Sequence, residues 1–176
     1  QAADIVVVNH YLLMADLVLK EEGFGDLLPG ADAIVIDEAH QLPDVAAQFL
    51  GYSVSTRQLA AISKDVAGEL LLAQQMAGKV DGALSGLDAQ IAAVLAITGG
   101  QDARLEHAQW PDRLLEALNG LGARAKELAD VIAPLGADGQ AAFKRLQERL
   151  EENADRLRSL TAEDAPGGVR WAETSA

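Results

Sequence analysis

The chain contains no cysteine. Disulfides and cysteine-ligated metals are therefore excluded within it. Nothing asks for an oxidising compartment, and a cytoplasmic setting is expected. Aromatic residues make up only 4% of the sequence. Alanine and leucine are plentiful instead, which favours helices packed closely together. Long apolar runs are scarce too. Ile5-Val6-Val7-Val8 and Ala33-Ile34-Val35-Ile36 are strand-sized, and no unbroken apolar run approaches the length of a membrane span. No basic segment precedes the first of them, so the start resembles no signal peptide. It opens almost directly into a buried strand, as expected of a cut made inside a larger protein. Positive charge is short as well: 14 Lys and Arg stand against 27 Asp and Glu, a formal net charge of -13. A domain of that sign does not bind nucleic acid through its overall field. Any DNA contact has to come from a local basic stripe or from parts outside this chain.

What is present suffices for one ordinary domain, or a small domain plus part of another: 176 residues, 49% of them apolar. The first fifty or so differ in style from the rest. Ile5-Val6-Val7-Val8 is β-branched and unbroken, the mark of a strand covered on both faces. Residues 11–22 carry Leu12, Leu13, Met14, Leu17 and Leu19 at helical spacing, and Gly23 and Gly25 end that helix. Pro29-Gly30 makes a turn, and Ala33-Ile34-Val35-Ile36 repeats the buried-strand pattern. Strand, helix, strand in that order predicts a βαβ unit with parallel strands. Two strands make no independent sheet, so the remainder of the sheet is expected outside this sequence.

Pro43 opens a short helix that Gly51 closes. From Ser55 the period becomes helical, and Ser55 with Gln58 has the spacing of a capping box. Four stripes follow. They are Leu59, Ile62, Val66 and Leu70; then Val80, Leu84, Leu87, Ile91 and Val94. After a break at Thr98-Gly99-Gly100 and a polar loop to Trp110, Pro111 opens the third helix. Its stripe runs Leu114, Leu118, Leu121, Ala125, Leu128, Ile132 and Leu135. A turn over residues 136–139 leads to the fourth, with Phe143, Leu146, Leu150, Leu157 and Leu160. Four amphipathic helices with single narrow seams predict a bundle. Pro166-Gly167-Gly168 ends it, and Val169-Arg170-Trp171-Ala172-Glu173 alternates like a strand returning toward the sheet. The fold class is thus α/β plus all-α. Residues 1–53 form a partial parallel-sheet βαβ piece, residues 54–165 an inserted four-helix domain, and residues 166–176 a short return strand.

Chemistry concentrates where the second apolar run ends in Asp37-Glu38-Ala39-His40. An apolar strand ending in Asp-Glu is the second half of a nucleotide-hydrolysis site. It delivers two carboxylates to the edge of the sheet where ligands bind in open α/β folds. Asp37 is the expected Mg²⁺ residue, acting through the ion's water shell because Mg²⁺ dehydrates reluctantly. Glu38 is expected to orient and deprotonate the water that attacks the γ-phosphate of ATP. Ala39 keeps the turn uncrowded, and His40 lies where it can connect the site to neighbouring segments. The plainer alternative is a strand followed by an acidic helix cap. No Gly-x-x-x-x-Gly-Lys-Ser/Thr loop occurs anywhere in the chain, so the phosphates of ATP have no cradle here. The chain alone is expected to hydrolyse nothing.

Three strings together resemble the bacterial DinG/YoaA branch of the XPD-like superfamily 2 helicases. They are Ala3-Asp4-Ile5-Val6-Val7-Val8-Asn9-His10, then Leu12-Leu13, then Val35-Ile36-Asp37-Glu38-Ala39-His40-Gln41-Leu42-Pro43-Asp44. The resemblance covers residues 3 to about 60; beyond them the likeness lies only in helical character and chain order. It implies a RecA-like motor domain in residues 1–53, a helical insertion called the arch, and a return strand marked by Trp171. It implies ATP-dependent 5′ to 3′ translocation on single-stranded DNA with a role in DNA repair. It also implies an iron–sulfur (4Fe-4S) cluster whose four cysteines lie outside this chain. For Asn9 and His10 it implies a role near DNA or the nucleotide; a strand-end turn satisfied by local hydrogen bonds is the plainer reading. Relatives often carry a second histidine where Tyr11 stands, which leaves the fine role of this turn open.

Other signals are weaker. His107 with Asp102 and Glu106 has the residue types of a metal site, yet a lone histidine in a polar loop is more often solvated surface. Arg145, Arg149 and Arg156, flanked by Lys144 and Arg158, make a basic stripe for a DNA strand, diluted by Glu148, Glu151, Glu152 and Asp155. Trp110 offers a ring for a base but sits where a helix staple packs. A second function class stays in view: a helical protein-interaction module, for repair or replication partners, in which Asp37 to His40 is incidental. The unpaired strands between Ile5 and Ile36 also predict self-association of the chain.

Overall fold

A computed structural model describes residues 3–21, 23–73, 78–99, 103–137, 139–162 and 169–174. They are mostly helical, with one small two-stranded antiparallel sheet. The chain divides into two compact units, Gln1–Ser53 and Val54–Ala176.

In the first unit the helix between the apolar runs forms as α1 (His10–Glu21), followed by a 3-10 turn (Ala39–Gln41) and α2 (Leu42–Leu50). Asn9 caps α1: its Oδ1 accepts the Leu12 amide at 2.8 Å. At the other end Phe24 N–H reaches the Leu19 carbonyl and Gly23 N–H the Lys20 carbonyl. That paired closure needs a left-handed residue, and Gly23 supplies it at φ 78. Helices α1 and α2 meet through the edge-to-face rings of Tyr11 and Phe49, 6.0 Å apart, with Met14 and Val45 buried.

The two apolar runs do not form the expected parallel sheet. Residues 5–8 and 33–36 have no strand assignment, and Val7 and Val35 are 92% and 94% exposed. β-branched composition prepares a run for a sheet but does not make one. The backbone N–H and C=O groups need neighbouring strands, and two runs alone do not provide them. The order of apolar run, helix, apolar run survives without a ladder.

The second unit holds α3 (Thr56–Leu72), α4 (Gly78–Thr98), α5 (Asp112–Ala137) and α6 (Ala141–Thr161). α3 packs on α4 and α6, α4 on α5, and α5 on α6. All four contribute to one shared core, centred on Leu59, Ile62, Leu87, Leu121, Leu128 and Leu150. Gln90 of α4 reaches the Ala117 carbonyl of α5, while Gly86 faces Arg124, so these helices run antiparallel. Asn119 with Thr161 and Lys126 with Glu151 set α5 against α6 in the same sense. Ser55 caps α3 by accepting the Arg57 amide at 3.2 Å rather than through Gln58. By length and composition α4 would match a bilayer, a property its interspersed Gly82, Ser85 and Gly86 conceal in the sequence. Its stripe from Val80 to Val94 is buried within the bundle.

The stretch before Trp110 is not all loop. Ala103–Glu106 forms β1 and pairs antiparallel with β2 (Trp171–Thr174), Ala103 opposite Thr174 and Glu106 opposite Trp171. The return strand therefore pairs within the second unit. Arg170, next to β2, donates to the Leu160 carbonyl at 3.0 Å and also to that of Ala162, satisfying acceptors that the end of α6 leaves open. The expected boundary between residues 165 and 166 lies outside the described residues.

Candidate active site

The acid pair sits at a corner, between the apolar segment ending at Ile36 and the 3-10 turn that begins at Ala39. Glu38 adopts φ 48, ψ 41, the left-handed region, and is the one non-glycine residue with positive φ among those described. For an L-residue other than glycine this conformation costs about 1 kcal/mol or more. Local bonds hold it there. The Glu38 amide donates to its neighbour's side chain, Asp37 Oδ1, at 2.9 Å. The Glu38 carbonyl accepts the Gln41 amide at 2.9 Å.

His10 reaches the same corner from the first residue of α1. Its Nε2 lies 2.9 Å from the Asp37 carbonyl oxygen. A carbonyl only accepts, so Nε2 carries the proton. His40 turns back on Glu38, with Nδ1 3.2 Å from Oε2, a contact that becomes an ion pair when the imidazole is protonated. Of the five residues singled out here, Asp37, Glu38, His10 and His40 thus share one corner. Asn9 is next to it, but its side chain serves as the α1 cap.

The carboxylates of Asp37 and Glu38 are exposed. Among the described residues no group of three or more His, Asp or Glu side chains could by itself cage a metal ion. One or two solvent-facing carboxylates suit Mg²⁺, which keeps several waters and takes further oxygens from substrate phosphates. The donor set here fits that mode and not an all-protein cage. An iron–sulfur cluster finds no ligand in a chain without cysteine.

One functional-looking residue escapes a reading of the sequence. Asp16, on α1, is 2% exposed. Its Oδ1 accepts the amides of Leu27 and Leu28 at 2.8 and 2.9 Å, and its Oδ2 takes Lys20 Nζ at 2.7 Å. Lys20 first, then the Leu28 and Leu27 amides, hold its carboxyl below the usual range against the opposing effect of burial. The only hint in the sequence is an Asp four residues before a Lys within an apolar helix.

Among the weaker signals, Trp110 and His107 pack against each other. Trp110 is buried, and its indole N–H donates to the Leu105 carbonyl at 3.0 Å. His107 lies against it, ring centroids 4.9 Å apart; Asp102 lies outside the described residues. In the basic stripe, Arg149 pairs with Asp65, Arg156 with Glu152 and Arg158 with Asp155. A groove of about 580 Å³ between α5 and α6 is flanked by Lys126, which bridges Asp130 and Glu151.

Over 64 residues the chain is 59% identical to the ATP-dependent DNA helicase YoaA of Escherichia coli (strain K12), a match covering 36% of this chain and 10% of that protein. It is 56% identical over 64 residues to the protein of the same name from Haemophilus influenzae, again 36% and 10% of the two chains. With the ATP-dependent DNA helicase DinG of Photobacterium profundum it shares 45% over 60 residues, 33% of this chain and 8% of the relative. The resemblance to the DinG/YoaA branch therefore stands on about a third of the chain. The matched stretch spans a tenth or less of these relatives' length. No family model matches, and no solved structure matches.

Proposed function

We propose that this chain is a segment of an ATP-dependent DNA helicase motor, carrying the acid pair of its hydrolysis site and a helical insertion. The observation that carries the reading is the identity to the two YoaA helicases. The corner geometry supports it: two adjacent carboxylates stand exposed at the end of an apolar segment, on a backbone fixed by hydrogen bonds.

In this reading Asp37 would help hold the Mg²⁺ that accompanies ATP. The ion neutralises charge developing on the phosphates when bound. Glu38 orients the attacking water and takes its proton. His40, beside Oε2, holds the Glu38 carboxylate in place between turnovers. The phosphate loop, the iron–sulfur cysteines and the strands that pair with residues 5–8 and 33–36 belong to other parts of the protein. The chain by itself therefore hydrolyses no ATP. The intact protein translocates 5′ to 3′ on single-stranded DNA in repair or replication stress, in the cytoplasm. The four-helix bundle is its arch, and its self-contained core also suits it to dock repair or replication partners.

The test is Glu38→Gln in the intact protein. DNA-stimulated ATP hydrolysis should fall by about 100-fold or more while ATP still binds. The isolated 176-residue chain should give background rates. Undiminished hydrolysis in the Glu38→Gln protein, or metal-dependent turnover by the chain alone, would overturn the assignment. Undiminished activity of the Glu38→Gln protein together with loss of partner binding on deleting the bundle would instead favour the interaction-module reading.

A further inference from the structure

The Asp37–Glu38 peptide is tied at both of its polar groups. Its N–H goes to Asp37 Oδ1 and its carbonyl to His10 Nε2, each at 2.9 Å. The first bond is local and travels with the chain. The second comes from 27 residues away and fixes the peptide plane relative to a helix. Rotation of that plane changes ψ of Asp37 and φ of Glu38 together. It is the motion by which Glu38 would leave its costly left-handed conformation.

His10 is well placed to resist this motion. It is the first residue of α1, whose start is capped by Asn9 and whose middle is anchored to Leu27 and Leu28 through Asp16. α2, which follows the corner after the 3-10 turn, packs back on α1 through Tyr11 and Phe49. The corner is thus held by α1 on its carbonyl side and leads through that turn into α2. His10 touches neither carboxylate; its contact is with backbone.

We propose that His10 is a positioning residue for Glu38: its bond to the Asp37 carbonyl locks the peptide plane that keeps Glu38 left-handed, and so sets where the general base stands. The conformational half of this claim is independent of any activity. The mechanistic half rests on the motor reading.

Two measurements separate the halves. In the 176-residue chain, Glu38 Cα and Cβ chemical shifts report its backbone region. His10→Ala should move them out of the left-handed range. His10→Gln, which can still donate, should largely keep them, and Asn9→Ala, which weakens only the cap, should leave them in place. In the intact protein His10→Ala should lower kcat for ATP hydrolysis about 10-fold to 100-fold with KM for ATP unchanged, and His10→Gln should recover most of it. Unmoved Glu38 shifts in His10→Ala overturn the lock. A kcat loss that His10→Gln does not recover, or one that appears in KM alone, overturns the positioning role. Full activity of Glu38→Gln overturns the motor reading and leaves the chemical-shift result standing.

Discussion

Lys20 reaches back one helical turn to Asp16, Nζ to Oδ2 at 2.7 Å, while the other oxygen of the same carboxylate gathers the amides of Leu27 and Leu28. Asp16 is held below its usual value, and Lys20 is raised above its own chiefly by Asp16. A depressed carboxylate contributes stability above its unfolded pKa, about 3.9, and loses it as pH falls through the lower folded value. A raised lysine contributes below about 10.4 and loses it as pH rises through the higher folded value. The clamp is therefore complete from about pH 4 to 10. Hydrogen exchange should show the Leu27 and Leu28 amides protected across that window and opening under acid. Asp16→Asn should keep part of the protection and lose its dependence on Lys20.

Asn153 is 1% exposed in the bundle core. Its amide donates to the Arg149 carbonyl at 2.7 Å, but its Oδ1 meets no partner among the described residues. A buried acceptor without a donor costs about 1–3 kcal/mol, more than the bond made by the other end returns. Asn153→Leu, close in size, should raise the stability of the second unit by about 1 kcal/mol in denaturant unfolding.

Gly120 leaves room on α5 for Gln90. A Cβ there would stand 2.7 Å from Gln90 Nε2, which donates to the Ala117 carbonyl at 2.9 Å. Gly120→Ala gains about 1 kcal/mol of helix propensity and displaces that bond, so the single change should be near neutral. With Gln90→Ala in place the clash disappears. The added Gly120→Ala should then stabilise by about 1 kcal/mol, measured as a double-mutant cycle.

Exposed β-branched runs with open backbone groups recruit strands. Sedimentation of the chain should show concentration-dependent association. Val7→Lys together with Val35→Lys, at the two most exposed valines of the runs, should suppress it. Association unchanged in that variant would place the contact elsewhere.

Helices were legible because their evidence is local. Leu59, Ile62, Val66 and Leu70 recur at helical spacing, and all are buried on one face of α3. Leu118, Leu135 and Leu160 continue their stripes yet stay half-buried, since each lies toward the edge of its seam. What failed depended on distant partners. β1 is Ala-Arg-Leu-Glu, with no β-branched residue, and becomes a strand because Trp171–Thr174 lies beside it. The runs at residues 5–8 and 33–36 have the composition and no neighbour, so they stay unladdered. At the corner, residue types pointed to Asp37 and Glu38, but nothing in Glu38 announces a left-handed backbone. Of the Asp16 clamp only the Lys20 spacing shows in the sequence, because its other two partners are main-chain amides, which every residue carries.

The β1–β2 ladder joins the segment before α5 to the segment after α6, so the two feet of that helical hairpin are stapled together. Its far end turns at Gly139, exposed and at φ 90. A chain nicked there would remain assembled, its halves clasped by the ladder at one end and the α5–α6 seam along the rest. The same site would therefore accept new termini or a grafted reporter without dismantling the bundle.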